Sequence, residues 1–250
     1  MKVRKKDVVV GLFVIALIIA VVVGLVRYNR YKRVDALAGQ ISALSSKNGP
    51  PETIEGLRTA IKAYEARIEK HLKDAAQTGV YCKILAYRLQ DRGLHGEALD
   101  ALEKGISYTP TDATLHYLVG VSAGFVAKST LNFEGMPGNM NRAKYYALAE
   151  EGFLRAISLD ERYVRPLYGL GVLYAFDLDR PREAIPYLQR SLDISPDVDT
   201  MFVLARSFYM IESYREAVAV YDRIIGFTKD PVKVEEAQRN RQVVMDRIYG

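Results

Sequence analysis

Three residue types are scarce in this 250-residue chain, which has one cysteine, three histidines and no tryptophan. A single cysteine, Cys82, excludes an intrachain disulfide and therefore a disulfide-stapled scaffold, although it does not assign a compartment. His71, His95 and His116 lie far apart, and none stands at metal-ligand spacing from another histidine or from Cys82. We therefore predict no metal site.

The sequence motifs of catalysis and cofactor binding are missing as well. There is no glycine-rich phosphate loop, no G-x-S-x-G elbow and no paired His-Glu metal motif. Cys82 falls at a core position of a helical pattern, where a free cysteine acts as a small apolar residue. We therefore expect a protein that is not an enzyme, with no catalytic residue and no cofactor.

Positive charge is concentrated at the N-terminus. The formal net charge is +5, but residues 1–33 hold eight bases and one acid, which leaves 27 bases and 29 acids for the remainder. The remainder thus lacks the excess of positive charge that binding to a phosphate backbone requires. The charge pattern predicts no nucleic-acid partner.

The longest apolar run, from Val8 to Val26, contains no charged or polar side chain over 19 residues. As a helix it would span about 28 Å, close to the hydrocarbon thickness of a bilayer. Lys and Arg flank both ends, and Tyr28 and Tyr31 lie where interfacial aromatic residues are found. We predict a transmembrane helix here. A signal peptide cleaved after residues 36–38 stays an alternative, although four bases intervene before that site.

The membrane orientation is poorly determined by charge, because four side-chain bases precede the apolar run and four follow it. The short tail of residues 1–7 favours an N-terminus inside the cell. We therefore expect a single-pass protein of the plasma or inner membrane whose remaining domain is extracytoplasmic.

Two patterns around the apolar run suggest a weak homodimer through residues 8–44. Small residues recur every fourth position within the run, and an apolar 3-4-3 spacing follows it: Ala16, Ala20 and Gly24, then Val34, Leu37, Ile41 and Leu44. Small residues are common in membrane helices, however, and fewer than two heptads fall short of a coiled-coil prediction.

Helical periodicity dominates the chain after a Gly- and Pro-rich linker that ends at Pro51. A helix should begin near Thr53, because apolar residues then recur at three- and four-residue steps: Ile54, Leu57, Ile61, Tyr64, Ile68 and Leu72. No later stretch alternates with a period of two, so we predict an all-α protein.

Residues 79–112 form a 34-residue unit that resembles the tetratricopeptide repeat (TPR). Its resemblance rests on Leu85-Ala86, Leu89, the turn glycine Gly93, the small residues Ala98 and Gly105, and the closing Pro110. The pattern recurs with Leu170-Gly171, Glu183-Ala184 and Pro196, and again with Leu204-Ala205, Phe208, Glu216-Ala217 and Tyr221. One extra residue lies in the turn near Asp179, and the second unit carries about 17 extra residues before Ala149.

The resemblance implies an α-solenoid of about four TPR-like helical hairpins, in which each pair covers the apolar face of its neighbour. The expected organisation is a basic tail (1–7), a transmembrane helix (8–26), a stalk or linker (27–51), an N-terminal helix (52–78), repeats (79–112, 113–163 with an insertion at 128–141, 164–197 and 198–231) and a capping helix (232–250). The N-terminal helix would cover the exposed end of the array or form a partial extra repeat.

The resemblance also implies that the first helix of each hairpin lines a surface that binds an extended peptide or a helix of a protein partner. The residues predicted to face such a groove are largely aromatic: Lys83, Tyr87, Tyr117, Phe125, Tyr168, Phe176, Phe202, Arg206 and Tyr209. The alternative is that these side chains belong to the core between repeats. Tyr87 stands where some relatives have a carboxylate-binding Asn, so a chaperone-tail receptor of that type is not expected.

The predicted function is a scaffold or adaptor at the cell envelope. Two alternatives stay open: a periplasmic-type chaperone or assembly factor for exported proteins, and a non-catalytic subunit of a membrane enzyme complex. The insertion 128–141 has apolar content, with Leu131, Phe133, Met136 and Met140, and either contacts the groove or packs on its own repeat.

Overall fold

The computed structural model describes residues 53–130 and 140–250. The predicted transmembrane helix 8–26, the linker 27–51 and most of the insertion 128–141 lie outside the described residues. Backbone contacts divide the chain into two units, residues 1–69 and 70–250. Among the described helices, none is both long and apolar enough to cross a bilayer.

The described residues form helices and no strand, as the periodicity predicts. The helices are α1 (Ile54–Asp91), α2 (His95–Tyr108), α3 (Ala113–Ser129), α4 (Met140–Leu159), α5 (Val164–Val172), α6 (Pro181–Ile194), α7 (Val198–Met210), α8 (Tyr214–Phe227) and α9 (Pro231–Tyr249). Within the second unit, consecutive helices pack as antiparallel hairpins, and α3, α5 and α7 also contact one another in series. This is the predicted all-α solenoid.

Small residues allow the helices of the second unit to approach closely. A Cβ at Gly171 would lie 2.4 Å from Leu188 Cδ2, and one at Gly152 would lie 2.7 Å from the backbone nitrogen of Gly120. Ala86 and Ala205, at the corresponding positions of other hairpins, are fully buried. Larger side chains at these positions would push the helices apart, so the small residues determine the hairpin spacing.

The turns inside three hairpins share a left-handed residue two places before the next helix. Its φ is +73° at Gly93, +52° at Asp179 and +62° at Glu212. Glycine adopts this conformation without a steric penalty, whereas a residue with a side chain pays one. Asp179 and Glu212 therefore adopt the same left-handed conformation as the turn glycine Gly93, although neither is a glycine.

The extra residue of the third hairpin lies in a helix rather than in the turn. The N–H of Leu94 donates to the carbonyl of Leu89, five residues back, but the equivalent N–H of Arg180 reaches back six residues to Tyr174. The additional residue is absorbed by a π-helical turn at Leu173–Asp177, which directly continues α5.

The predicted N-terminal helix 52–78 is not a separate element. It is continuous with the first repeat as α1, 38 residues long, because no breaker residue interrupts the stretch between Leu72 and Gly79. Its six apolar side chains from Ile54 to Leu72 are 43% to 65% exposed.

The C-terminal helix α9 packs on α8 through one apolar side. Ala237 and Val244 are buried there and belong to the main core cluster. Arg241 reaches back to Asp222 of α8, with Nε donating to Oδ1 at 2.6 Å. The rest of the helix surface carries charge, as a terminal element of a repeat array requires.

Candidate functional site: a groove between α3 and α5

A groove with a volume of about 290 Å³ lies between α3 and α5, the first helices of the second and third hairpins. Both helices belong to the second unit, where they are in contact. The lining is mainly aromatic and aliphatic, with charged groups at its edge: Tyr117, Gly120, Val121, Gly124, Phe125, Lys128, Phe153, Arg165, Tyr168, Gly169, Val172, Leu173 and Asp177.

The floor of the groove is the ring of Phe153, which comes from α4. Glycines on both lining helices make room for it: a Cβ at Gly120 would lie 2.5 Å from Phe153 Cδ1, and one at Gly169 would lie 2.8 Å from its Cζ. Phe153 is itself only 5% exposed. The two helices therefore stand on either side of a fixed aromatic wedge, which holds the groove in shape without a ligand.

Gly124 differs from the other glycines of α3, since a Cβ added there would meet no atom within 4 Å. It lines the groove one turn beyond Gly120 on the same helix. The space beside Gly124 is therefore not used for helix packing. A glycine in a helix interior costs about 0.5–1 kcal/mol relative to alanine, so this position retains open volume at some cost in stability.

Tyr117 and Tyr168 form the walls near Phe153. The Tyr117 ring lies 6.1 Å from that of Phe153 and 5.4 Å from that of Tyr163. Burial raises the pKa of both Tyr117 and Tyr168 above the ordinary value of 10.0. Both hydroxyls are thus neutral at physiological pH, and the walls present uncharged, amphipathic surfaces.

Phe125 is the most exposed aromatic residue of the groove, at 53%. Its ring stacks on the imidazole of His95 with 4.3 Å between centroids and 4° between planes. Burial lowers the pKa of His95, which favours a neutral ring in this stack. One face of Phe125 is therefore held by α2 while part of the ring stays open to solvent.

An ion pair closes one end of the groove. Lys128 at the end of α3 places Nζ 3.0 Å from Oδ2 of Asp177, the last residue of the π-helical turn. On its other side the same turn is held by Tyr174, whose hydroxyl donates to Glu150 Oε1 at 2.7 Å. The extra residue of this hairpin thus positions a groove-lining carboxylate that a regular helix would place elsewhere.

Arg165 is the charged group at the edge that is available to a ligand. Its side chain is exposed and forms no ion pair with any residue in the described ranges 53–130 and 140–250. It lies one turn before Tyr168 on α5. A carboxylate of a bound segment would find its partner here.

Three of the nine predicted groove residues meet in this groove, namely Tyr117, Phe125 and Tyr168. Phe176 is half exposed in the π-helical turn but is not part of the lining. Tyr87 packs against the core of the first hairpin. Phe176 and Tyr87 therefore lie in different environments from the three groove residues, although all five share a sequence pattern.

Lys83, the predicted cationic groove residue of the first hairpin, forms an ion pair within the fold. Lys83 Nζ donates to Asp112 Oδ2 at 2.7 Å, and Asp112 in turn accepts the N–H of Thr114 to cap α3. Burial raises the pKa of Asp112, but Lys83 and the backbone N–H groups of Thr114 and Leu115 together outweigh it, so the pKa lies below its ordinary value. Lys83 positions a helix and is not available to a ligand.

The predicted residues of α7 form a separate cluster. Phe202 packs against Tyr221 at 6.3 Å between centroids, and Tyr209 packs against Tyr214 at 5.7 Å. The guanidinium of Arg206 lies 5.1 Å from the centre of the Tyr209 ring. Phe202 and Tyr209 are half-buried and pack against the core.

Sequence reasoning missed four lining residues that matter here: Gly124, Lys128, Arg165 and Asp177. The sequence did offer a signal for Arg165, because this residue precedes the predicted Tyr168 by three residues and so shares its helix face. The sequence offered no such signal for Gly124 and Asp177. The free volume and the π-helical turn depend on how two separate helices are placed.

The fold and groove define a solenoid of the tetratricopeptide type. The chain is 24% identical over 197 residues to a TPR repeat-containing protein of Borreliella burgdorferi, covering 78% of this chain and 83% of that protein. No family model matches the sequence.

Solved structures share the fold. The thermophilic TPR protein TTC0263 of Thermus thermophilus is 17% identical, with a TM-score of 0.54 over 76% of this chain and 96% of the other. YrrB, described as a TPR protein with an unusual peptide-binding site, is 20% identical, with a TM-score of 0.51 over 74% and 89% of the two chains. These likenesses show that the chain has the fold of a tetratricopeptide-type α-solenoid.

Proposed function

We propose that this chain is a membrane-anchored TPR protein that binds an extended segment of a protein partner in the groove between α3 and α5. The observation that carries this proposal is the unfilled volume beside Gly124, enclosed by Tyr117, Phe125 and Tyr168. Aromatic side chains offer large contact area at low entropic cost, so they suit binding to a peptide. YrrB, described as having an unusual peptide-binding site, is a parallel by fold alone.

The charges and polarity of the groove, as well as its shape, restrict which segments can bind there. Its walls are uncharged and its edge holds Arg165 together with the Lys128–Asp177 ion pair. A segment with one large apolar side chain, followed or preceded by a carboxylate, would fill the volume and pair with Arg165. The proposed role is recruitment of such a partner, without catalysis by this chain.

The test compares two glycine positions that are both open and both helical. Gly124→Leu fills the groove, whereas Gly226→Leu adds the same side chain on α8, where a Cβ also meets nothing within 4 Å. A displayed peptide library is selected on the full chain in detergent micelles. We expect enrichment of peptides with an apolar and an acidic residue, at least tenfold weaker binding to Gly124→Leu, and unchanged binding to Gly226→Leu.

Helical circular dichroism should be the same for all three proteins, because a Cβ at either position meets nothing within 4 Å. Failure to enrich any peptide motif would refute the groove as a binding site. Equal binding by the Gly124→Leu variant would place the binding surface elsewhere.

Anchoring belongs to the same proposal and rests on the apolar sequence of residues 8–26. We propose a single-pass protein of the plasma or inner membrane with the solenoid outside the cytoplasm. Protease treatment of intact cells and of spheroplasts, with a tag after Gly250, tests this. Cleavage that begins once the outer barrier is opened agrees with the proposal, and protection until the membrane is dissolved contradicts the orientation.

A further inference from the structure

The N-terminal half of α1 carries an apolar stripe that the fold leaves open. Ile54, Leu57, Ile61, Tyr64, Ile68 and Leu72 are the members of this stripe, and each is at least 43% exposed. Isolated apolar residues on a surface are ordinary, but a contiguous stripe along one helix face marks an interaction surface. We propose that the stripe is the seam of a parallel two-stranded coiled coil between two copies of this chain.

The first five members of the stripe follow a heptad register. Ile54, Ile61 and Ile68 fall at position a, Leu57 and Tyr64 fall at position d, and the register continues with His71 at d and Leu72 at e. A β-branched residue at a combined with leucine at d favours two parallel strands over three or four. Isoleucine occupies a at residues 54, 61 and 68, and leucine occupies d at residue 57, so these positions agree with a dimer.

The flanking positions agree with a parallel register. In that register the g position of one chain faces the next e position of the other, which pairs Ala60 with Glu65 and Arg67 with Leu72. No two like charges are brought together. The seam is therefore not opposed by electrostatic repulsion.

The available area reaches what a stable dimer needs. The six exposed side chains present on the order of 600 Å² per chain, so a pair buries roughly 1,200 Å², the lower end of the range for specific interfaces. A fold-back of this chain's own segment 34–44 would cover less. At eleven residues it reaches about 16 Å as a helix, against about 27 Å for the stripe.

Dimerisation through α1 would be separate from binding in the groove. The stripe and the groove share no residue, and the groove lies within residues 117–177. Two grooves carried by one dimer would bind a partner that has two copies of the recognised segment with higher avidity than one groove does. The inference stands whether or not the groove binds a peptide.

Disulfide trapping in the full chain tests the register directly. In a parallel seam each a position faces itself within disulfide reach, so Ile54→Cys and Ile68→Cys should each give a covalent dimer on mild oxidation. Lys62→Cys, on the outer face, should give none, and native Cys82 is buried and unreactive. A crosslink at Lys62 equal to those at Ile54 and Ile68, or no crosslink at either, would overturn the proposal.

A second pair of variants separates this seam from association through other residues. Ile61→Glu combined with Ile68→Glu should raise the dimer dissociation constant at least tenfold, while Ala63→Glu combined with Lys70→Glu should not. Sedimentation in detergent micelles measures both. A dimer that survives the seam substitutions forms through other residues and refutes the proposal. A monomeric wild-type chain also refutes it, and an internal disulfide in the Leu37→Cys/Ile61→Cys variant would then assign the stripe to this chain's own segment 34–44.

Discussion

The two halves of α1 carry similar apolar patterns and meet opposite environments. Gly79, Cys82 and Ala86, in the C-terminal half, are buried against the second helix of the first hairpin. Ile54, Ile61 and Ile68, in the N-terminal half, are exposed. The buried residues of α1 are small, and most of its large apolar residues stay exposed, including Ile84 and Leu85 in the C-terminal half.

This difference in size follows from what each surface has to contact. Packing inside a hairpin brings backbones close together, so small side chains at the contact are needed and a large one would hold the helices apart. A seam between two separate helices is formed by knobs that fill holes, so it needs large side chains. On α1, small residues therefore mark where backbones approach closely, while large buried residues such as Leu102 and Leu118 come from other helices.

The largest expected difference in stability is between truncating a large buried residue of the solenoid and truncating a large exposed residue of the stripe. Leu118→Ala removes a side chain that is 1% exposed, so we expect it to lower the free energy of unfolding of the solenoid by about 3 kcal/mol. Ile61→Ala should change it by less than about 0.5 kcal/mol. Urea unfolding followed by near-ultraviolet dichroism of the tyrosines measures both. A comparable loss in Ile61→Ala would mean that the stripe supports the solenoid.

The Gly152→Ala variant tests how strongly stability depends on the close contact between α3 and α4. The new Cβ would lie 2.7 Å from the Gly120 nitrogen and 2.9 Å from the His116 carbonyl oxygen, and these backbone atoms have no rotamer to adopt. We expect a loss of about 2 kcal/mol from overpacking. Thermal unfolding checks this, and an unchanged midpoint would show that α3 and α4 separate at little cost.

At Gly124 we expect substitution by alanine to raise the stability rather than lower it. Gly124→Ala adds a methyl group that meets nothing within 4 Å and removes a flexible residue from a helix interior. Stability should therefore rise by about 0.5–1 kcal/mol. Gly226→Ala serves as the matched control and should give a similar gain. Destabilisation at Gly124 alone would show that the space beside it is needed by the fold.

The smallest effect concerns the ion pair at the start of α3. Because the folded pKa of Asp112 is depressed, its contribution is present above the ordinary pKa of 3.8 and is lost as the pH falls through the folded value. Asp112→Asn keeps an N-cap side chain but removes the pairing with Lys83. We expect it to lower stability at pH 6 by less than about 1 kcal/mol, because the pair is partly exposed.

The difference between wild type and the Asp112→Asn variant should be smaller at pH 2 than at pH 6, since lowering the pH moves the carboxyl of Asp112 toward its protonated form. Unfolding in urea at the two pH values measures this. A gap between the two proteins that is equally large at both would assign the effect to the cap and not to the charge.

Much of the hairpin pattern was predictable because it depends on local size and period. Leu85-Ala86, Leu170-Gly171 and Leu204-Ala205 identified the first helices. The small residue of each pair is buried or close-packed, and Leu170 and Leu204 are buried, whereas Leu85 is 51% exposed. The groove was less predictable. The same aromatic pattern lines an open volume at Tyr168 but belongs to a half-buried cluster at Phe202, since burial depends on the neighbouring helix.

By itself the sequence determined the helical period, the repeat spacing and the one-residue excess of the third hairpin, because these depend on the order of side chains along one chain. The tertiary structure alone decided that the excess becomes a π-helical turn presenting Asp177, that Gly124 faces open space, and that α1 runs unbroken with its apolar stripe exposed. Each of these depends on distances between helices, which local periodicity does not contain.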